Sequence, residues 1–188
     1  MYRVLDILRE RYGVDRSSLQ EIERLVSPCR FRRKELLVTE GECVGKAFFI
    51  ASGMTRSYWM EDGEQFTTSF SFEGSIVFSM DELYYGRPSE EFVEAVEDVD
   101  AFALSISDLR RLWNDDLSIC RWALKIHQDE YRSIHESHRQ RLTLPARERY
   151  EAFCRRFPEV ARRARLGDIA SYLGISASTL SRLRRLRD

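Results

Sequence analysis

The sequence predicts an α+β chain in three parts: a β-roll near the N-terminus, one long helix, and a terminal helix-turn-helix. Three observations carry this. Between Cys29 and Ser105, short alternating runs are separated by glycine turns at roughly ten-residue spacing, the pattern of a compact β-sandwich or roll. From Trp113 to His138, apolar and ring-bearing residues recur at alternating steps of four and three, the spacing of a long helix with one sticky seam. From Leu166 to Arg185, two short amphipathic segments flank Gly174.

Taken in order, residues 2–12 form an amphipathic helix with Val4, Leu5 and Leu8 on one face and Gly13 as its stop. A second helix starts at Ser17 or Ser18, since Ser17 with Gln20 and Ser18 with Glu21 both have capping-box spacing, and it ends near Pro28. The β-runs are Arg30–Phe31, Leu36–Val38, Lys46–Ala51, Met54–Met60, Gln65–Phe72, Ser75–Phe78, Glu91–Val96 and Ala101–Ile106. Turns fall at Glu40-Gly41, Ser52-Gly53, Asp62-Gly63 and Glu73-Gly74, and Met80–Tyr85 reads as a short inserted helix. Ser107 is expected to cap Asp108–Trp113, the long helix to run from about Asp115 to Gln140, and Thr143 to cap a helix with Pro145 in its first turn. Tyr150, Phe153 and Phe157 supply a core for the terminal bundle, which Pro158 interrupts. These readings divide the chain into residues 1–107, 108–140 and 141–188.

The seam residues are Leu117, Cys120, Leu124, His127, Tyr131, Ile134 and His138. One helix cannot bury both this seam and Ile119, Trp122, Ala123 and Ile126 on one small roll. The seam is therefore expected to meet its own copy in a parallel homodimer, with packing inside one chain as the alternative. His127 and His138 either face their twins, so that protonation loosens the dimer near pH 6, or stay neutral among aromatic rings.

Net charge is −1, but it is unevenly placed. From Arg139 to Asp188 there are 13 arginines against 5 acidic residues, a net of +8, and residues 1–138 carry −9. Of the 30 basic residues, 27 are arginine, the side chain suited to bidentate phosphate and guanine contacts. A basic terminal module on an acidic body points to a polyanion at the tail. There Ile169, Ala170 and Leu173 form one apolar face and Leu180 and Leu183 another, Gly174 sits at the turn, and Ser176 is placed to cap the second helix. This is the helix-turn-helix pattern, whose second helix enters the major groove of double-stranded DNA.

The hydrophobic fraction of 43% supports a true core, no run of 18 apolar residues is present to span a membrane, and the N-terminus lacks a signal-peptide core. A cytoplasmic protein without membrane contact is expected, with no further domain after the second short helix. The four cysteines, Cys29, Cys43, Cys120 and Cys154, form no CxxC pair, so buried reduced thiols are expected and neither metal nor cofactor. Three of them meeting in space as a redox cluster is the alternative. No catalytic triad, HExxH or phosphate loop is present, and all three histidines fall on the long helix, so an enzyme is not expected.

A glycine-punctuated roll, a long helix and a terminal helix-turn-helix together resemble the family of the cyclic-AMP receptor protein and Fnr. The resemblance covers nearly the whole chain and rests on Glu40-Gly41-Glu42, the Gly53 turn after Phe48-Phe49-Ile50, Tyr85-Gly86-Arg87-Pro88, and the terminal motif. It implies a cyclic-nucleotide-binding-like roll, a dimerisation helix and a winged-helix-like DNA-binding end, in a homodimeric bacterial transcription regulator. It also implies RNA polymerase as a partner and leaves room for an unknown small-molecule effector. The nucleotide cassette departs from the family pattern. Ser75 stands where the ribose-binding glutamate is expected, and Ser89 takes the place of the phosphate-binding arginine. Arg87 comes two positions early, and Glu90 and Glu91 would repel an anion. Ser75, Arg87, Ser89 and Glu90 thus mark an effector pocket that cyclic AMP is not expected to occupy. An oxygen-sensing iron–sulfur cluster would need closely spaced N-terminal cysteines, and haem has no ligand signature here.

By position in the motif, Ala177, Ser178 and Arg182 face base edges, Arg182 being able to bridge guanine O6 and N7. Ser176, Thr179, Arg184 and Arg185 are expected on phosphates, with a purely capping role as the alternative for Thr179. Two such helices in a dimer lie about 34 Å apart, which predicts a palindromic operator. The competing reading is a cyclic-nucleotide-responsive or other small-molecule-binding module whose tail binds something other than DNA; the +8 tail argues against it.

Overall fold

The computed structural model describes residues 2–185. In chain order the elements are α1 (Tyr2–Tyr12), α2 (Arg16–Leu25), β1 (Ser27–Phe31), β2 (Leu36–Val38), β3 (Lys46–Ser52), β4 (Thr55–Glu61), β5 (Glu64–Ser71), β6 (Ile76–Val77), a single π-helical turn (Asp81–Tyr85), β7 (Phe92–Ala95), β8 (Val99–Ser105), α3 (Ile106–Asp115), α4 (Leu117–Thr143), α5 (Ala146–Arg156), α6 (Pro158–Arg163), α7 (Leu166–Leu173) and α8 (Ala177–Arg185). They form two compact units, Met1–Ser57 with Phe70–Gln128, and Tyr58–Ser69 with Asp129–Asp188.

The strands make two four-stranded sheets, ordered β1-β8-β3-β6 and β2-β7-β4-β5. Strand β3 shows why the roll closes. Successive side chains of a strand point to opposite faces, and here both faces are apolar. Phe48 and Ile50 join Leu37, Val38, Val93 and Ala95 in one cluster, while Ala47 and Phe49 join Leu8, Ile22, Leu112 and Trp122 in another. The first cluster fills the roll and the second seats the helices on it. Gly53, after β3, has φ +94, and a Cβ there would lie 2.4 Å from the Asp98 carbonyl oxygen. Only glycine fits where these backbones cross.

All eight strand runs and the short inserted helix lie where the sequence places them, with ends shifted by no more than three residues. Several caps do not. Ser17 and Ser18 lie inside α2, whose cap position is Asp15. Ser18 is buried and donates to Asp116 at 2.6 Å instead. Ser105 rather than Ser107 caps α3, accepting from the Asp108 N–H at 3.0 Å. Thr143 is the last residue of α4 and donates back to the Arg139 carbonyl at 2.8 Å, leaving Pro145 as the cap position of α5.

The long helix begins at Leu117, not Asp115. Asp116 accepts from the Ser118 and Ile119 N–H groups at 2.8 and 3.1 Å, which starts α4 and separates Trp113 onto α3. The Ser18 hydroxyl and these two N–H groups outweigh burial and hold the Asp116 carboxyl below its ordinary range. Burial costs the charged form, while hydrogen bonds to it favour it. Ile119, Trp122 and Ala123 of α4 are buried, and Trp122 stacks on Phe49 with centroids 5.9 Å apart.

In the second unit, Tyr150 and Phe153 of α5, Val160 of α6, Ile169, Ala170 and Leu173 of α7, and Leu180 of α8 are buried together with Ala164. Phe153 lies 5.5 Å from Phe157 and 5.4 Å from Tyr172, centroid to centroid. From residue 144 to residue 185 the described chain contains helices and no strand. The motif sits in a helical bundle, and no β-wing lies among the described residues. The strand segments of this unit are instead the outer part of the β4–β5 hairpin. The Ser171 hydroxyl of α7 accepts from the Thr67 N–H at 2.9 Å and donates to the Gln65 carbonyl at 2.9 Å.

Candidate functional site

The terminal motif is built by its turn. Gly174 ends α7 at φ 65, where a side chain would be strained, and its N–H bonds the Ser171 carbonyl at 3.0 Å while the Ile175 N–H reaches Ala170 at 3.0 Å. Ser176 then caps α8, its Oγ accepting from the Thr179 N–H at 3.1 Å. Thr179 Oγ1 and Ser178 Oγ lie 2.9 and 3.0 Å from the same oxygen, so Thr179 serves the cap. Leu180 is wholly buried and fixes the inner face of α8. Ser176, Ala177, Ser178, Arg182 and Arg185 are exposed, and Thr179 and Arg184 half-buried. The outward row thus combines small residues at the helix start with arginines further along.

The cassette residues are held by bonds within the chain. Ser89 is buried and closes a backbone pair with the Glu40-Gly41-Glu42 turn, Gly41 N–H to Ser89 carbonyl at 2.8 Å and Ser89 N–H to Glu42 carbonyl at 3.0 Å. Its hydroxyl donates to the Glu91 carbonyl at 2.9 Å. Ser75 is held in its own turn, its Oγ accepting from the Phe72 N–H at 3.2 Å. Arg87 is exposed and already engaged: Nη2 lies 2.7 Å from Asp81 and 3.0 Å from Glu90. Asp81 also accepts from the Glu90 N–H at 3.1 Å. Against the effect of burial, the Arg87 hydrogen bonds and that N–H hold the Asp81 carboxyl below its ordinary range. Glu82, buried on the same turn, accepts from the Val44 and Gly45 N–H groups at 2.9 and 2.8 Å. The chain's own carboxylates thus pair with the Arg87 guanidinium and with the Val44 and Gly45 N–H groups.

Burial, with the Asp81 charge nearby, pushes the Glu91 carboxyl up to about 7. A carboxyl raised in the folded state holds its proton better folded than unfolded. Stability is therefore highest below the unfolded value and falls as pH rises toward about 7. Replacing Glu91 by glutamine is expected to flatten that decline and raise stability above neutral pH by at most about 3 kcal/mol. Denaturant midpoints of both proteins at pH 5 and pH 8 check it, and a parallel pH dependence would count against the Glu91 assignment.

Along α4 the seam residues of the first unit are exposed at Leu117 (63%) and Leu124 (56%), those of the second at Tyr131 (73%) and Ile134 (65%), and His138 is exposed too. Cys120 is half-buried. His127 departs from a purely outward position. Its ring stacks on Trp113 at 5.4 Å, its Nδ1 bonds the Ala123 carbonyl, and Nε2 bonds the Tyr84 hydroxyl from the π-turn. Burial and the adjacent Tyr85 keep the Tyr84 hydroxyl protonated well above its ordinary range. For His127 this is the packed-among-aromatics arrangement, whereas His138 is exposed. Arg110 of α3 also donates to the Glu82 and Leu83 carbonyls, so the cassette is bonded to both helices that follow the roll. Asp81, Glu82 and Tyr84 were not singled out by the sequence, since acidic residues opening a short helix read as ordinary dipole partners.

The model of the cyclic nucleotide-binding domain family matches residues 28–116. A search of curated proteins by sequence gives no match. Among solved structures, FixK2 from Bradyrhizobium japonicum is 22% identical with a TM-score of 0.73, over 86% of this chain and 83% of its own. The c-di-GMP-responsive global regulator CLP of Xanthomonas campestris is 13% identical, with a TM-score of 0.71 over 92% of both chains. A transcriptional regulator of the Crp/Fnr family from Eubacterium rectale is 14% identical, with a TM-score of 0.72 over 92% of this chain and 82% of its own. No described helix is long and apolar enough to cross a membrane. Residues 28–116 are thus similar to the cyclic nucleotide-binding domain family, and the chain shares its fold with these solved regulators.

Proposed function

We propose that this chain is a DNA-binding transcriptional regulator, not an enzyme, that acts as a homodimer on a palindromic operator and is not controlled by cyclic AMP. The observation that carries the reading is α8: a serine-capped helix whose exposed row, Ala177, Ser178, Arg182 and Arg185, lies in a segment of net charge +8. Arg182 reads guanine, Ala177 and Ser178 approach base edges without strong choice, and Ser176, Arg184 and Arg185 hold phosphates, Thr179 supporting the cap. Independence from cyclic AMP is supported by Arg87 being paired with Asp81 and Glu90. A different small molecule remains compatible with the roll, and RNA polymerase is the partner a regulator implies.

Arg182→Ala is expected to weaken operator binding by about 10- to 100-fold and relax the choice at one base pair per half-site. Affinity of the unaltered protein should fall steeply with salt, as released counterions dictate. Fluorescence anisotropy on an operator duplex obtained by in-vitro selection measures both. Unchanged affinity in Arg182→Ala would remove the base-reading assignment, and a flat salt response would remove the DNA role itself.

A further inference from the structure

The second unit holds a small cavity that none of the roles above uses. It measures about 20 Å³ and lies where α4, α5 and α7 converge. Arg141, Arg149 and Arg156 line it together with Phe157 and Tyr172, and the lining residues include no carboxylate. Arg141 donates to the Tyr172 carbonyl and stands 5.8 Å from the centre of its ring. Arg149 reaches the Arg141 and Leu144 carbonyls at 3.2 and 3.4 Å through Nη1 alone. Arg156 pairs with Glu136 at 3.0 Å and lies 5.1 Å from the centre of the Phe157 ring.

A guanidinium carries five N–H donors, so these bonds leave most of the fifteen unused. The Arg149 Nε–H is the clearest case, being shut off from solvent with no acceptor among the described residues. Glu136 offsets one of the three charges. Three cations converging without a lining acid call for an anion, and the planar fork of arginine matches the oxygen spacing of a phosphate. Space for one oxygen-sized group is what a cavity of this volume provides. An oxyanion would insert one oxygen and keep the others at the mouth, which excludes a nucleobase from the interior.

We propose that this cavity is a binding site for one phosphate-class oxyanion, held by Arg141, Arg149 and Arg156. The phosphate comes either from a free phosphate or phosphomonoester, or from the backbone of bound DNA; the second source rests on the DNA-binding reading above. The test is calorimetric titration of the full chain with inorganic phosphate, ionic strength being held constant with chloride, with and without operator duplex. The expected result is saturable one-to-one binding, weakened about tenfold or more in Arg149→Gln and in Arg156→Gln. Arg149 also braces the end of α4, so Arg156→Gln decides the matter if Arg149→Gln melts early. Phosphate binding that persists with DNA bound assigns the free anion. Binding abolished by DNA, with the salt slope of DNA affinity reduced by about one in Arg156→Gln, assigns the backbone phosphate. Absence of saturable binding, or unchanged binding in Arg156→Gln, overturns the proposal and leaves the cavity to water.

Discussion

Glutamates at positions 124 and 134 together are expected to leave the chain a folded monomer. Leu124 and Ile134 are exposed within one chain, so nothing inside the protomer depends on them. In a parallel two-stranded seam each would face its own copy, and the double substitution would place four carboxylates in the apolar stripe. Burying an unpaired carboxylate costs several kcal/mol even after relaxation. The dimer should dissociate at micromolar concentrations, and affinity for a two-half-site operator should fall by more than about 100-fold, because the half-sites are then bound separately. Sedimentation velocity reports the first effect and operator titration the second. Thermal melting should barely change. A variant that still sediments as a dimer would place the interface elsewhere and return the seam to bare surface.

Trp122→Ala addresses the opposite face of the same helix and is expected to cost about 3–5 kcal/mol of stability. The indole is 2% exposed and stacks on Phe49 in the cluster that seats the helices on the roll. Its removal leaves a void that Ile119 and Leu112 cannot fill without shifting α3 and α4 together. Trp122→Phe should cost far less, because the indole Nε1–H is buried without a hydrogen-bond partner among the described residues and its loss removes a polar group that is already unsatisfied. Urea unfolding at constant m-value measures both. Equal losses in the two variants would show that shape at this position, not the stranded N–H, dominates. Comparison with the seam variant separates what α4 does for its own chain from what it does for a second one.

The periodic parts of this fold were legible because periodicity is a local consequence of which face is buried. Strand β7 alternates in sequence because Val93 and Ala95 are buried while Phe92 and Glu94 are half-buried, whereas β3 is a continuous apolar run because its two faces enter different clusters. The caps were less legible, because a serine before a helix satisfies the same local rule whether or not a tertiary partner claims it. Ser18 bonds Asp116, 98 positions away, and no spacing rule sees that far. Ser105 and Ser107 stand two apart, and Ser105 is selected because it ends β8 opposite Lys46. In the cassette, the substitutions at Ser75 and Ser89 were visible in the sequence. The use of Asp81 and Glu82 as internal anions was not, since it depends on a loop that brings Val44, Gly45 and Arg87 onto them. Helix α8 and its turn were legible for the opposite reason: Gly174, Ser176 and Leu180 each act within a few residues of one another.

The bond between Ser171 and the β4–β5 hairpin bears on how such a protein can be inherited. The backbone passes between the two units three times, and residues Tyr58–Ser69 belong with the terminal helices although some sixty residues of the other unit intervene. A single crossover in α4 would therefore give a chimaera whose hairpin comes from one parent and whose α7 comes from the other. The Gln65 and Thr67 backbone would then depend on a foreign residue at position 171 to supply both a donor and an acceptor. Exchange of one unit for another is thus constrained to swaps that carry the hairpin along, or that keep a hydroxyl at the meeting point.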